Sequence, residues 1–165
     1  MKTINLCNYL KLDSFGVDLH FSKSRTELIR FFNENSIPIN MSTETQIIIK
    51  SKLLSLDVTF YISLQFDGEK LLTITMSPNI SLEGKSLFYR YSKIQKALKN
   101  ELGYPCYRLK SIFYLLDPEN RSSYWMRNGI RIEHFLLNRF GMEEIINIKL
   151  EHGQGGGSKT GDGFA

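Results

Sequence analysis

Leu54-Ser55-Leu56-Asp57-Val58-Thr59-Phe60-Tyr61-Ile62-Ser63-Leu64-Gln65-Phe66 alternates without exception, with apolar residues at every even position and polar residues or tyrosine at every odd one. A period of two belongs to an extended chain whose successive side chains point to opposite faces, so the stretch predicts a strand. One face is expected buried and the other wet, as in an antiparallel sheet covered on one side only. The return segment keeps Leu72, Ile74 and Met76 even and Thr73, Thr75 and Ser77 odd. A two-residue Asp67-Gly68 loop would set Leu72 opposite Ser63. A three-residue Asp67-Gly68-Glu69 loop pairs Phe66 with Lys70, Leu64 with Leu72 and Ile62 with Ile74. It keeps apolar on apolar and is the expected turn.

Two helices flank this hairpin in sequence. Ser24-Arg25-Thr26-Glu27 opens a stretch that stops at Pro38, and Ser92-Lys93-Ile94-Gln95 opens another that stops at Pro105. Each opening reads as a capping box, in which a hydroxyl covers a first-turn N–H and the Glu or Gln three residues on reaches back. Leu28, Ile29, Phe31 and Phe32 give the first helix a broad core face. The second runs from Lys93 to about Leu102, with Gly103 as its left-handed stop and Tyr104 after it.

Strand-like segments follow each helix. In the second half they are Tyr107 to Leu116, then Ser123 to Arg127 and Ile130 to Leu137 around Asn128-Gly129. That dipeptide predicts a two-residue hairpin turn pairing Arg127 with Ile130 and Trp125 with Ile132. Phe140-Gly141 then leads into a last strand, Glu143 to Leu150. Val17, Leu19 and Phe21 predict a short lead-in strand before the first helix. The expected fold is α+β: one domain over residues 1–152, built from two tandem helix-plus-antiparallel-strand units. Unit one covers about 15–78 and unit two about 87–151. They share one mostly antiparallel sheet with both helices on one face. Residues 153–165 hold six glycines and read as a flexible tail.

Composition narrows function mostly by exclusion. Hydrophobic content of 42% and a charged fraction of 23% are globular values. Cys7 and Cys106 form no CxxC and suggest free thiols rather than a disulfide or zinc site. The N-terminal residues lack a signal-peptide apolar core and no stretch is long enough to span a membrane, so a cytoplasmic location is expected. Gly153 to Thr160 nearly spells a phosphate-binding loop, but Ser158 stands where glycine is required and no helix follows. His134, at an even position among Ile130, Ile132 and Leu136, reads as a satisfied core imidazole rather than a catalytic base. Neither His20 nor His152 is tied to a nucleophile. Glu143-Glu144 reads as a solvated edge, because neighbouring strand residues point to opposite faces and cannot flank one bond. No catalytic residue, metal ligand or cofactor is expected.

Charge is unevenly shared: residues 1–84 carry net −1 and residues 85–165 net +5. Arg90, Lys93, Lys96 and Lys99 recur at a spacing of three along the second helix. They read as a solvated basic face, the alternative site should the protein bind nucleic acid. The wet face of the longest strand, Asp57, Thr59, Tyr61, Ser63 and Gln65, is the expected partner-binding surface. Tyrosine there gives large contact area at low entropic cost.

Taken together, Ser24 to Pro38 with the strands up to Ser77, and Ser92 to Pro105 with the strands up to Leu150, give an arrangement that resembles the tandem-repeat α+β inhibitors of the β-lactamase inhibitor protein family. Unit by unit it is similar to the small barrel-assembly lipoproteins of bacterial outer membranes. The resemblance implies a noncatalytic protein whose open sheet face grips another protein. Lipobox and disulfides are missing, so the member it suggests is a cytoplasmic bacterial immunity protein that neutralises a toxin by direct binding.

Overall fold

The computed structural model describes residues 8–79, 87–106, 122–127, 129–138 and 142–150. The expected strand 107–116, Cys7, Asn128, the Phe140-Gly141 turn, His152 and the glycine-rich tail lie outside them. The elements run β1 (Tyr9–Leu12), β2 (Val17–His20), α1 (Arg25–Glu34), β3 (Ile39–Ser42), β4 (Gln46–Lys52), β5 (Thr59–Asp67), β6 (Lys70–Pro78), α2 (Leu87–Leu102), β7 (Ser122–Arg127), β8 (Ile130–Asn138) and β9 (Met142–Leu150). β1 and β2 form a separate hairpin, and the other strands make one antiparallel sheet in the order β3-β4-β5-β6-β9-β8-β7. The fold is α+β.

Parity organises the sheet. Ile47, Leu64, Ile74, Ile148, Ile132 and Trp125 stand side by side across six strands on one face. They join Leu28 and Phe32 of α1 and Ile94, Leu98 and Leu102 of α2 in one buried cluster. Both helices therefore cover the same face. The hairpin seats Leu10, Leu12 and Leu19 in that core, and its tip is held to the end of β4 by Asp13 N–H on Lys52 O and Lys52 N–H on Ser14 Oγ.

The capping box expected at Ser24 forms with Glu27. Tertiary structure completes it. The β5–β6 hairpin presents the Glu69 carbonyl to Arg25 N–H, and its carboxylate to Thr26 N–H at 2.8 Å and to the Thr26 hydroxyl at 3.0 Å. With Ser24 Oγ on Glu27 N–H, the donors of the first turn are satisfied. The Thr26 backbone N–H, and next its hydroxyl, hold the Glu69 carboxyl below the usual carboxylate range. At the other end Ser36 N–H bonds Asn33 O and Ile37 N–H bonds Phe32 O, a Schellman closure with Ser36 at φ 54° where glycine is usual.

Three sequence expectations are corrected. The long strand begins at Thr59, not Leu54, and Asp57 sits in the preceding turn, ion-paired with Lys52. Leu54 and Ser55 have φ of 58° and 54°, and Leu56 N–H bonds Leu53 O, the geometry of a type I′ turn. Adjacent Leu53 and Leu54 are both buried there, which a strand covered on one face only cannot do. Second, the β5–β6 loop is Gly68-Glu69, with Asp67 opposite Lys70 and Phe66 opposite Leu71. A register shift follows, so that Leu64 meets Ile74, Leu71 turns inward and Leu72 is exposed. Face parity is restored by a bulge rather than by an odd loop, because Gly68 at φ 55° fits the first position of a two-residue turn. Third, α2 starts at Leu87, so Ser92 lies inside the helix and caps nothing. Burial of Tyr91 ahead of Ile94, Leu98 and Leu102 extends the inward stripe past Ser92. Gly103, at φ 77°, ends the helix with its N–H on Lys99 O, as expected.

The second hairpin keeps its expected register, Arg127 opposite Ile130 and Trp125 opposite Ile132.

Candidate functional site

The face of the sheet that no described element covers gathers most of the expected partner-binding residues. Tyr61 is 40% exposed and stands between Lys50 and Ser77, with the Lys50 ammonium 4.6 Å from its ring centroid. Ser63 accepts from Gln46 Nε2 at 2.7 Å, and Gln65 is exposed beyond it. Thr59 opens the strand half-buried, and Asp57, in the turn, is not part of this face. Register carries the face across the molecule: Ile48, Ser63, Thr75, Asn147, Glu133 and Tyr124 form one row. At its far side Glu133 bridges Arg131 at 2.5 Å and Lys149 at 3.1 Å. Exposed Met41 and Met126 and half-buried Phe135 and Ile145 add apolar area.

The basic stripe of α2 divides. Lys93, Lys96 and Lys99 are exposed, whereas Arg90 is half-buried. A spacing of three slips round the helix, and the nine residues from Arg90 to Lys99 amount to two and a half turns. The two ends of the series therefore face opposite ways.

Sequence reasoning missed a second assembly, buried between α2 and the second half of the sheet. His134 is fully buried, as expected, and its ring stacks on Tyr91 at 4.2 Å. Its Nδ1 lies 2.6 Å from Gln95 Oε1 and its Nε2 lies 2.8 Å from Glu144 Oε1, while Gln95 Nε2 reaches Ser123 Oγ at 2.8 Å. Glu144 is thus no solvated edge: it is 3% exposed. Its even position puts it on the face of Ile146 and Ile148, while Glu143 faces out. Parity is the signal that could have found it.

Burial holds the His134 imidazole below its ordinary value of 6.5, against the Glu144 hydrogen bond and charge, which raise it. A neutral ring has one N–H for two neighbours, and a half-turn of the Gln95 amide, exchanging its oxygen and nitrogen, completes both bonds. The depressed value means that the unfolded chain takes up a proton near pH 6.5 that the folded chain refuses. The stability this contributes is present above pH 6.5 and lost as pH falls below it, by at most about 1.4 kcal/mol per pH unit. Urea unfolding between about pH 7.5 and about pH 5.5 should show this slope in the wild type and a smaller one in His134→Gln. Equal slopes would remove His134 as its source.

The same carboxylate lines a cleft. β6 and β9 pair from Thr73 opposite Lys149 to Met76 opposite Ile146, and there the pairing stops, although both strands continue against their other neighbours. Asn79 N–H bonds Thr59 O on the β5 side, so alternation turns the Pro78 nitrogen toward β9. Proline has no N–H to offer, and the ladder cannot go on through Glu144, which the register would set opposite. The opening between the strands is a pocket of ≈ 230 Å³. Tyr61, Ser77, Pro78 and Asn79 line one lip, Glu143 and Glu144 the other, and Arg90 approaches from α2.

The chain matches no family model, no curated protein and no solved structure. Geometry alone therefore bears on function. Among the described residues no group of three or more His, Cys, Asp or Glu side chains is placed to hold a metal ion, and no helix is long and apolar enough to cross a membrane.

Proposed function

We propose that this chain is a noncatalytic protein-binding protein whose recognition surface is the open face of the seven-stranded sheet. The observation that carries the reading is the asymmetry of that sheet. Both helices bury one face, while no described element covers the other, which presents Tyr61, Met41 and Met126 among threonines, serines and a few balanced charges. Aromatic and methionine side chains set in a polar surround are what interface cores use.

We infer further that the two halves are tandem units. The order β3-β4-β5-β6 from one edge and β7-β8-β9 from the other brings the last strand of each half together at the centre, which supports a duplication. Within that architecture the partner suggested by the resemblance to inhibitor proteins is a toxin, neutralised by direct binding in the bacterial cytoplasm.

Co-expression with the product of the adjacent coding sequence, followed by gel filtration and calorimetry, tests the proposal. A stoichiometric complex is expected, and Tyr61→Ala should weaken it by more than about 1 kcal/mol. Unaltered affinity in a stably folded Tyr61→Ala variant would remove the open face as the binding surface. Binding to nucleic acid that collapses between low and moderate salt, and depends on Lys93, Lys96 and Lys99, would replace the proposal with the basic helix.

A further inference from the structure

We propose that the cleft between the splayed ends of β6 and β9 binds a free α-amino acid, with Glu144 taking its ammonium group and Arg90 its carboxylate. Three charged residues, Arg90, Glu143 and Glu144, line one pocket, yet no ion pair of 4 Å or less joins Arg90 to either carboxylate. Glu144 and Arg90 each have a polar atom shielded from water and without a hydrogen-bond partner: Glu144 Oε2, whose companion Oε1 is engaged by His134, and Arg90 Nε. Glu144 is buried and Arg90 half-buried, and a hydrogen-bonding position of a charged group that is shut off from water is costly unless something fills it.

The two unpartnered atoms together define the occupant. A plain ammonium would satisfy Glu144 and meet the Arg90 charge, and a plain carboxylate would do the reverse. A zwitterion answers both. A quaternary ammonium is excluded, because the acceptor at Glu144 Oε2 calls for an N–H. The volume of ≈ 230 Å³ falls below the roughly 300–1,000 Å³ of pockets that hold drug-sized ligands and suits a molecule of amino-acid size. Tyr61 and Pro78 supply an apolar wall for its side chain, and Ser77 and Asn79 supply polar groups beside it. The position of the cleft follows from Pro78, which ends the β6–β9 ladder in the middle of the sheet and leaves room where a paired strand would leave none. Glu144 is held in place by its bond to His134, itself stacked on Tyr91 and bonded to Gln95.

The test is calorimetric titration of the full chain with each of the protein-building L-amino acids at millimolar concentration. At least one should bind. Its decarboxylated amine, its N-acetyl derivative and glycine betaine should each bind at least tenfold more weakly or not at all. Arg90→Met should reduce affinity for the amino acid at least tenfold without reducing that for the amine, which no longer meets a like charge. Glu144→Gln should also reduce it, but that change disturbs the bond to His134, so the Arg90 variant, whose thermal melting serves as the control, decides. The proposal is overturned if no amino acid binds, if amine and zwitterion bind equally, or if Arg90→Met leaves affinity unaltered. It shares Tyr61 with the open-face reading but not its test: Arg90→Met and the amino-acid titration decide this proposal, and the protein complex of Tyr61→Ala decides the other.

Discussion

Trp125→Ala is expected to lower folding stability by about 3–5 kcal/mol, the range for truncating a fully buried large aromatic. Trp125 has no exposed surface, and its neighbours across the sheet are Ile132, Ile148 and Ile74. Its indole N–H also donates to Gly103 O at 2.9 Å, tying β7 to the C-terminal stop of α2. Alanine there leaves a cavity and removes the bond to a carbonyl at the helix end. Trp125→Phe should keep most of the packing and lose chiefly the bond, about 0.5–1.5 kcal/mol, since Gly103 is exposed and water can reach its carbonyl. Since this is the chain's sole tryptophan, urea unfolding should be followed by far-ultraviolet circular dichroism. A loss below about 1 kcal/mol for the alanine variant would mean that the second half of the sheet does not pack on α2 as described.

The second large effect is expected at Phe60, and its neighbour in sequence sharpens it. Phe60 is fully buried between Ser51 of β4 and Pro78 of β6, so Phe60→Ala should cost about 3–5 kcal/mol. Tyr61, one residue on, lies on the opposite face, and Tyr61→Ala should change folding stability by only about 0.5 kcal/mol or less. Chemical unfolding of both variants under one set of conditions measures the contrast. Comparable losses would show the sheet to be covered on both sides and would end the case for an open recognition face.

Features that depend on a few adjacent residues are legible in the sequence. The alternation from Thr59 to Phe66 sorts core from surface because a pleated strand offers each side chain only two directions. Ser24 with Glu27, Gly103 after α2 and Gly129 before Ile130 mark a cap, a stop and a turn, since each answers a backbone requirement within one turn of chain. The same local grammar misleads wherever a distant element competes for the residue. Ser92 and Gln95 spell a capping box, yet Gln95 reaches His134 and Ser123, because burying Tyr91 carries the helix past its supposed start. Leu54 and Leu56 continue the alternation on paper, but the core takes Leu53 and Leu54 together and bends the chain.

By itself, then, the sequence determined the α+β class, most of the wet strand and the inward placement of His134, all of which follow from periodicity. Only the tertiary structure decided that Glu144 bonds His134, that Gln95 of α2 joins them, and that a cleft opens beside Arg90 where Pro78 interrupts the sheet. Those facts involve α2, β6, β8 and β9 at once, and the energy of a buried polar group depends on partners that no sequence window brings together.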